Sequence, residues 1–249
     1  MTRPRTRNSL LFLLVFILPV FLLVACDDPT CPTCGPGGGG EETKDISGKV
    51  LEPPPTSAPI AGATVEVVDQ TENALSGEDG TWSLEDLAPD ADPLIRISES
   101  GLAPSYNGFP LSLGILQYDL LAMPDSLFVG TLNAFGITNT AAACIVSGAV
   151  VRFEDFDYPQ VVEPLADAVL TVTPASPAVI FLYLDATGQL PAADQTKTSA
   201  SGAFMVVVPD ATAVTSISLS GSRPGTTFPP LPPFATFQGS FVLAGVIAF

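Results

Sequence analysis

Four cysteines, no histidine and a large excess of carboxylates decide what chemistry this chain can do. Cys31-Pro-Thr-Cys34 is a C-x-x-C pair, which in an oxidising compartment could be a disulfide or a redox couple. A thioredoxin-type couple needs its first cysteine at a helix N-terminus after a strand, where the thiol pKa falls. Here the pair sits in a proline- and glycine-rich spacer, which favours a small incidental loop. Zinc would need two further ligands, and only Cys144 is left to offer one. Cys144 is either buried or bridged to Cys31 or Cys34. Without histidine, serine–histidine, cysteine–histidine and histidine-ligated zinc chemistry are all excluded. Carboxylates remain, in the clusters Glu78/Asp79, Asp90/Asp92 and Glu154/Asp155/Asp157. They suit calcium as hard ligands, but the graded spacing of an EF-hand is missing, so they read as solvated turns. No residue is assigned as catalytic or metal-ligating, and no cofactor is expected.

Cys26 stands in a different context. Arg3, Arg5 and Arg7 precede an uncharged apolar run from Ser9 to Ala25, and Cys26 follows directly. Basic residues, apolar core and a small residue at the junction form the layout of an export signal. The Leu23-Val24-Ala25-Cys26 junction resembles the lipobox of bacterial lipoproteins. That resemblance implies that residues 1–25 are removed and Cys26 becomes a lipidated first residue. The competing reading is an uncleaved anchor, although a run of 17 uncharged residues is at the short end for a membrane span. Either way, the basic side stays in and the remainder faces outward. The expected location is extracytoplasmic, lipid-anchored to a bacterial membrane at its periplasmic or cell-surface face. Asp27 resembles the signal that retains enteric lipoproteins in the inner membrane, a rule that other lineages do not keep. Residues 26–44, with four consecutive glycines and no large apolar side chain, form a flexible tether.

Six basic residues remain from Cys26 onward against 26 acidic ones, a formal charge of −20. Such a surface repels phosphate backbones, so nucleic acid is excluded as a partner. It is also repelled by anionic headgroups, which leaves acyl chains to hold the membrane.

The 205 residues after position 44 must supply whatever positions these groups. Val, Ile, Leu, Phe and Thr are plentiful, and Gly and Pro punctuate short apolar runs, a pattern of strands and tight turns. Four blocks occur twice in the same order. Ile46–Val50, Pro59–Val67, Gly77–Leu84 and Leu94–Ser98 are followed by Ile145–Val150, Pro164–Val172, Ser199–Val206 and Ile217–Leu219. The third blocks differ in how they follow the second: Ala63 to Gly80 is 17 residues, whereas Ala168 to Gly202 is 34. A period this long with variable loops indicates duplicated domains. Ile46, Gly48 and Val50 alternate with Ser47 and Lys49, and Ala63, Val65 and Val67 with Thr64 and Glu66, as half-buried strands do. Asp79-Gly80 is turn chemistry, and Trp82 and Leu84 lead into a strand with Trp82 in the core.

These blocks resemble the carboxypeptidase regulatory-like family, a transthyretin-like β-sandwich with a G-x-V strand, a P-x-x-G-A-x-V strand, a D-G-x-F/W hairpin and a later strand toward a glycine. The first repeat matches all four. The second departs where Asp167 replaces Gly62 and Ser201-Gly202 replaces Asp79-Gly80. The resemblance implies a fold and a role as an appended or binding module, and no peptidase activity.

The expected fold is therefore all-β: two tandem antiparallel sandwiches, transthyretin-like or Ig-like, at 45–124 and 144–249. The connector 125–143 carries Leu127, Phe128, Thr131, Leu132 and Phe135 at helical spacing, with Asp125 as N-cap and Gly136 as C-cap. Thr227–Phe234 is rich in proline and reads as an extended strand connector. The function expected is a non-enzymatic structural or ligand-binding module of the envelope, with protein or carbohydrate as ligand. The alternatives are a redox or metal-handling lipoprotein using Cys31 and Cys34, or an accessory subunit of an envelope enzyme.

Overall fold

Alternating side chains drive the first repeat into strands. The computed structural model describes residues 43–88, 92–108, 116–153, 162–175, 178–192 and 194–249. All belong to one compact unit, Glu41–Phe249. In β1 (Lys44–Leu51), Ile46, Gly48 and Val50 face inward while Asp45 and Lys49 face solvent. The same period holds in β2 (Thr64–Val67) and β5 (Leu94–Ser98). β3 (Asn73–Leu75) is short, and β4 (Thr81–Leu87) buries Trp82, Leu84 and Leu87. β6 (Ser105–Gly108) and β7 (Leu120–Leu121) complete the repeat. One sheet has the order β4-β1-β7. The facing layer is β6-β5-β2-β3, and the core between them is built from Ile46, Val50, Val65, Trp82, Leu84 and Ile97, with others.

The second repeat follows the same plan. It comprises β8 (Cys144–Phe153), β9 (Val162–Pro164), β10 (Val169–Thr173), β11 (Ile180–Tyr183), β12 (Ala203–Val208), β13 (Ser216–Ser222), β14 (Phe234–Ala235) and β15 (Ser240–Ala248). β10-β13-β14 form one layer and β11-β12-β8-β15 the other. Phe204, Val206, Ile217 and Val242 are among the side chains buried between them. Repeat for repeat, β1 and β4 correspond to β8 and β12, and β2 and β5 to β10 and β13.

The class is all-β, as the composition predicts, but the sheets are mixed rather than purely antiparallel. Among the described residues three strand pairs run parallel: β1 with β7, β8 with β15 and β6 with β15. The cause is the last strand of each repeat, which returns beside the first in the same direction. The β6–β15 pairing also joins the two repeats into one continuous nine-stranded sheet.

Between the repeats, α1 (Asp125–Ala134) buries Phe128 and Leu132. They enter a third apolar cluster with Met123, Ile145, Val207 and Phe241. Pro124 takes the N-cap position, so Asp125 is the first helical residue rather than the cap, where a carboxylate still complements the helix dipole. At the other end Gly136 has φ +73°, its N–H meets the Asn133 carbonyl, and the Ile137 N–H meets that of Leu132. This pair of bonds is the Schellman closure.

Candidate functional site

Cys26, Cys31 and Cys34 lie outside the described residues, as do Asp90, Glu154, Asp155 and Asp157 and the neighbouring Phe156 and Tyr158. Cys144 opens β8 and is fully buried as a free thiol, with Ser240 Oγ 3.7 Å from its sulfur. Burial pushes its pKa up. Since the thiolate is the reactive form, this cysteine is chemically quiet. Glu78 and Asp79 sit in the β3–β4 turn. One oxygen of Asp79 accepts the Thr81 hydroxyl at 2.7 Å and the Thr81 N–H at 3.2 Å, which lowers its pKa. Its acceptor capacity serves the turn. Among the described residues, no group of three or more His, Cys, Asp or Glu is placed to hold a metal ion.

What the structure does bring together is a set of backbone-supporting positions, matched between the repeats. Gly48 lies opposite Trp82 in the β1–β4 register, and Gly148 opposite Phe204 in β8–β12. A Cβ on Gly48 would lie 2.0 Å from the Tyr118 carbonyl oxygen, and one on Gly148 1.7 Å from that of Ala244. Both glycines therefore let the parallel last strand close against the first while an aromatic ring covers the gap. The hairpin glycines also coincide. Val50 N–H donates to the Gly80 carbonyl at 2.8 Å, and Val150 N–H to the Gly202 carbonyl at 2.9 Å.

A third device was not read from the sequence. The Ser76 hydroxyl accepts the Ala63 N–H at 2.9 Å and donates to the Ile60 carbonyl at 2.8 Å. The Thr198 hydroxyl accepts the Ala168 N–H at 2.9 Å and donates to the Leu165 carbonyl at 2.7 Å. Both hydroxyls are buried, so each bond replaces water that the strand entry cannot reach. The signal was present: each hydroxyl residue stands four positions before its hairpin glycine. Gly62 and Asp167 also correspond, with φ +74° and +63°, each donating its N–H to the carbonyl of that hydroxyl residue at 2.9 Å. Asp167 thus holds a left-handed conformation that favours glycine, and its carboxylate meets Lys197 at the surface.

The two repeats meet at β6. Asn107 is fully buried, donates its side-chain amide to the Leu121 carbonyl and accepts the Leu121 N–H, both at 3.0 Å. Ser105 accepts the Met123 N–H at 3.0 Å. Strand β6 therefore bonds to β5 and β15 through its backbone and to β7 through its side chains. This seals the outer edge of β7 against further strands. Tyr106 of β6 stacks on Phe237, ring centroids 3.9 Å apart, and carries the contact into the second repeat.

Two open depressions lie on the surface of the described residues. One is polar, lined by Asp167, Asp194, Gln195, Lys197 and Thr198. The other is uncharged, lined by Leu170, Val172, Pro174, Val179 and Phe181. The proline-rich segment is a packed connector, with Phe228, Leu231 and Phe234 laid against the second core. No helix among the described residues is long and apolar enough to cross a membrane.

No protein-family model matches the chain, and no curated protein matches it. Solved structures with a similar strand arrangement include a minor pilin of Streptococcus agalactiae, at 12% identity and TM-score 0.29, covering 83% of this chain and 95% of that one. A shaft pilin of Lactobacillus rhamnosus GG matches at 9% identity and TM-score 0.26, over 83% of this chain and 97% of that one. A type II cohesin–X–dockerin complex from Acetivibrio cellulolyticus matches at 20% identity and TM-score 0.27, over 35% of this chain. This chain spans 62% of the length of that one. Likenesses this distant carry no argument about function.

Proposed function

We propose that this chain is a non-enzymatic module of a bacterial cell envelope, lipidated at Cys26 and carried outside the cytoplasmic membrane. In this reading residues 26–44 hold two carboxypeptidase regulatory-like sandwiches, 45–124 and 144–249, off the bilayer. The connector 125–143 wedges its helix against both. The module serves a structural or ligand-binding role, with protein or carbohydrate as the ligand class. The observation that carries the proposal is the Leu23-Val24-Ala25-Cys26 junction behind a basic, then apolar, leader. The sandwich repeats support it, because antiparallel edges and loop tips are the usual contact surfaces of such modules. The charge of −20 directs anchoring to the acyl chains.

The test is the intact mass of protein taken from the membrane fraction, beside a Cys26→Ala variant. A chain beginning at Cys26 with acyl mass, lost in the variant, is expected. A chain retaining residues 1–25 in both would overturn the anchor. The same measurement with and without reductant, after thiol alkylation, reads the state of Cys31 and Cys34. A pair that exchanges readily would favour the redox reading, and Cys144 is too deeply buried to take part.

A further inference from the structure

We propose that the second repeat is a mechanical clamp, able to bear tension that enters ahead of β8 and leaves after β15. The inference rests on strand direction and register, and stands whether or not Cys26 carries a lipid. β8 and β15 are parallel neighbours paired over nine positions, from Ser240↔Cys144 to Ala248↔Arg152. In a parallel pair, the start of one strand and the end of the other lie at opposite ends of the ladder. Pulling the chain before Cys144 away from the chain after Ala248 therefore slides the strands along each other, and the ladder bonds must fail together. Pulling at Arg152 and Phe249, which lie at the same end, peels the pair open one bond at a time.

Three further features load the same strand. β6 pairs in parallel with the other edge of β15 at Phe241, Val242 and Leu243. Phe241, Val242, Ala244, Val246 and Ala248 are buried, so water cannot replace ladder bonds as they stretch. Beyond the strand, Phe249 and Thr227 exchange two backbone bonds of 2.9 Å. The first repeat has the same strand directions but a shorter ladder, with the bridge Ser47↔Gln117 and the pairs Val50↔Leu120 and Leu51↔Leu121.

The test is single-molecule pulling of the full chain with handles in two arrangements. Handles at Asn139, exposed in the loop before β8, and at Phe249 load the ladder in shear. Handles at Arg152 and Phe249 peel it. Forced unfolding reports the barrier along the pulled direction rather than overall stability, so the two arrangements can differ on one and the same fold. A rupture force several-fold higher in shear is expected. Equal forces, or a weaker shear arrangement, would overturn the clamp.

Discussion

The two repeats share a frame and part company after β2 and its counterpart β10. In the first, the chain turns back at once, and β3 pairs with β2 at Thr64↔Leu75, Val65↔Ala74 and Glu66↔Asn73. In the second, the following strand is β11, which crosses to the opposite sheet and pairs with β12. At the outer edge of β10 a single side chain meets the backbone. The Tyr183 hydroxyl receives the Leu170 N–H at 2.8 Å, at the position where β3 meets Val65 in the first repeat. At this one position a phenol thus does what a whole strand does in the first repeat. What a sandwich edge requires is partners for its backbone groups, and the source of those partners is free to change. The frame itself cannot change so freely, because it depends on the close approaches at Gly48 and Gly148 and on the turns at Gly80 and Gly202.

The heaviest blow to this comparison would fall on those close approaches. Gly148→Ala and Gly48→Ala each force a methyl group into a backbone carbonyl, and each should cost about 3 kcal/mol or more, or block folding. Urea unfolding measures the loss. A tolerated Gly48→Ala beside a ruinous Gly148→Ala would show that the parallel closure matters only where its ladder is long. A finer probe removes the matched hydroxyls. Ser76→Ala and Thr198→Val each leave a buried N–H and a carbonyl without partners, at about 1–3 kcal/mol apiece. Similar losses would confirm a common device, whereas clearly unequal ones would break the correspondence.

The smallest effect separates the hairpins by pH. Asp79 stabilises the first, while Ser201 takes its place in the second, where its hydroxyl receives the Ala203 N–H at 3.2 Å. The folded pKa of Asp79 is lowered, chiefly by the Thr81 hydroxyl. Its contribution is therefore present above the ordinary carboxylate value and fades as pH falls through the lowered one. Asp79→Ser should lower the unfolding midpoint slightly near neutrality and leave it little changed in acid, so that its acid sensitivity falls. An unchanged pH profile would show that the carboxylate is no more than a surface group.

Much of the frame was legible. Alternation placed β1, β2 and β4, Trp82 fell in the core as its position required, and the four repeated blocks mark strands that correspond in space. β8, β12 and β15 lack clean alternation, because Cys144-Ile145-Val146, Val206-Val207-Val208 and Phe241-Val242 are continuous apolar runs. The structure explains them: one face meets the second core while Ile145, Val207 and Phe241 meet the helix cluster. Strands buried on both faces lose the period-two signal. Asn107 gave no signal at all, since a polar residue in a strand reads as solvent-facing until its partners are known.

The sequence alone determined that the repeated blocks become strands, where the hairpins at Gly80 and Gly202 turn, and that the leader has the layout of an export signal. These follow from local rules: side-chain period, turn chemistry and composition act over a few residues. Tertiary structure alone decided which strands are neighbours, that β15 enters between β8 and β6 in parallel, and that Asn107 ties β6 to β7. Period two states which face of a strand is buried and is silent about what lies beside it. That choice belongs to packing on both faces and to backbone groups more than a hundred positions apart in the chain, such as Phe241 and Ser105.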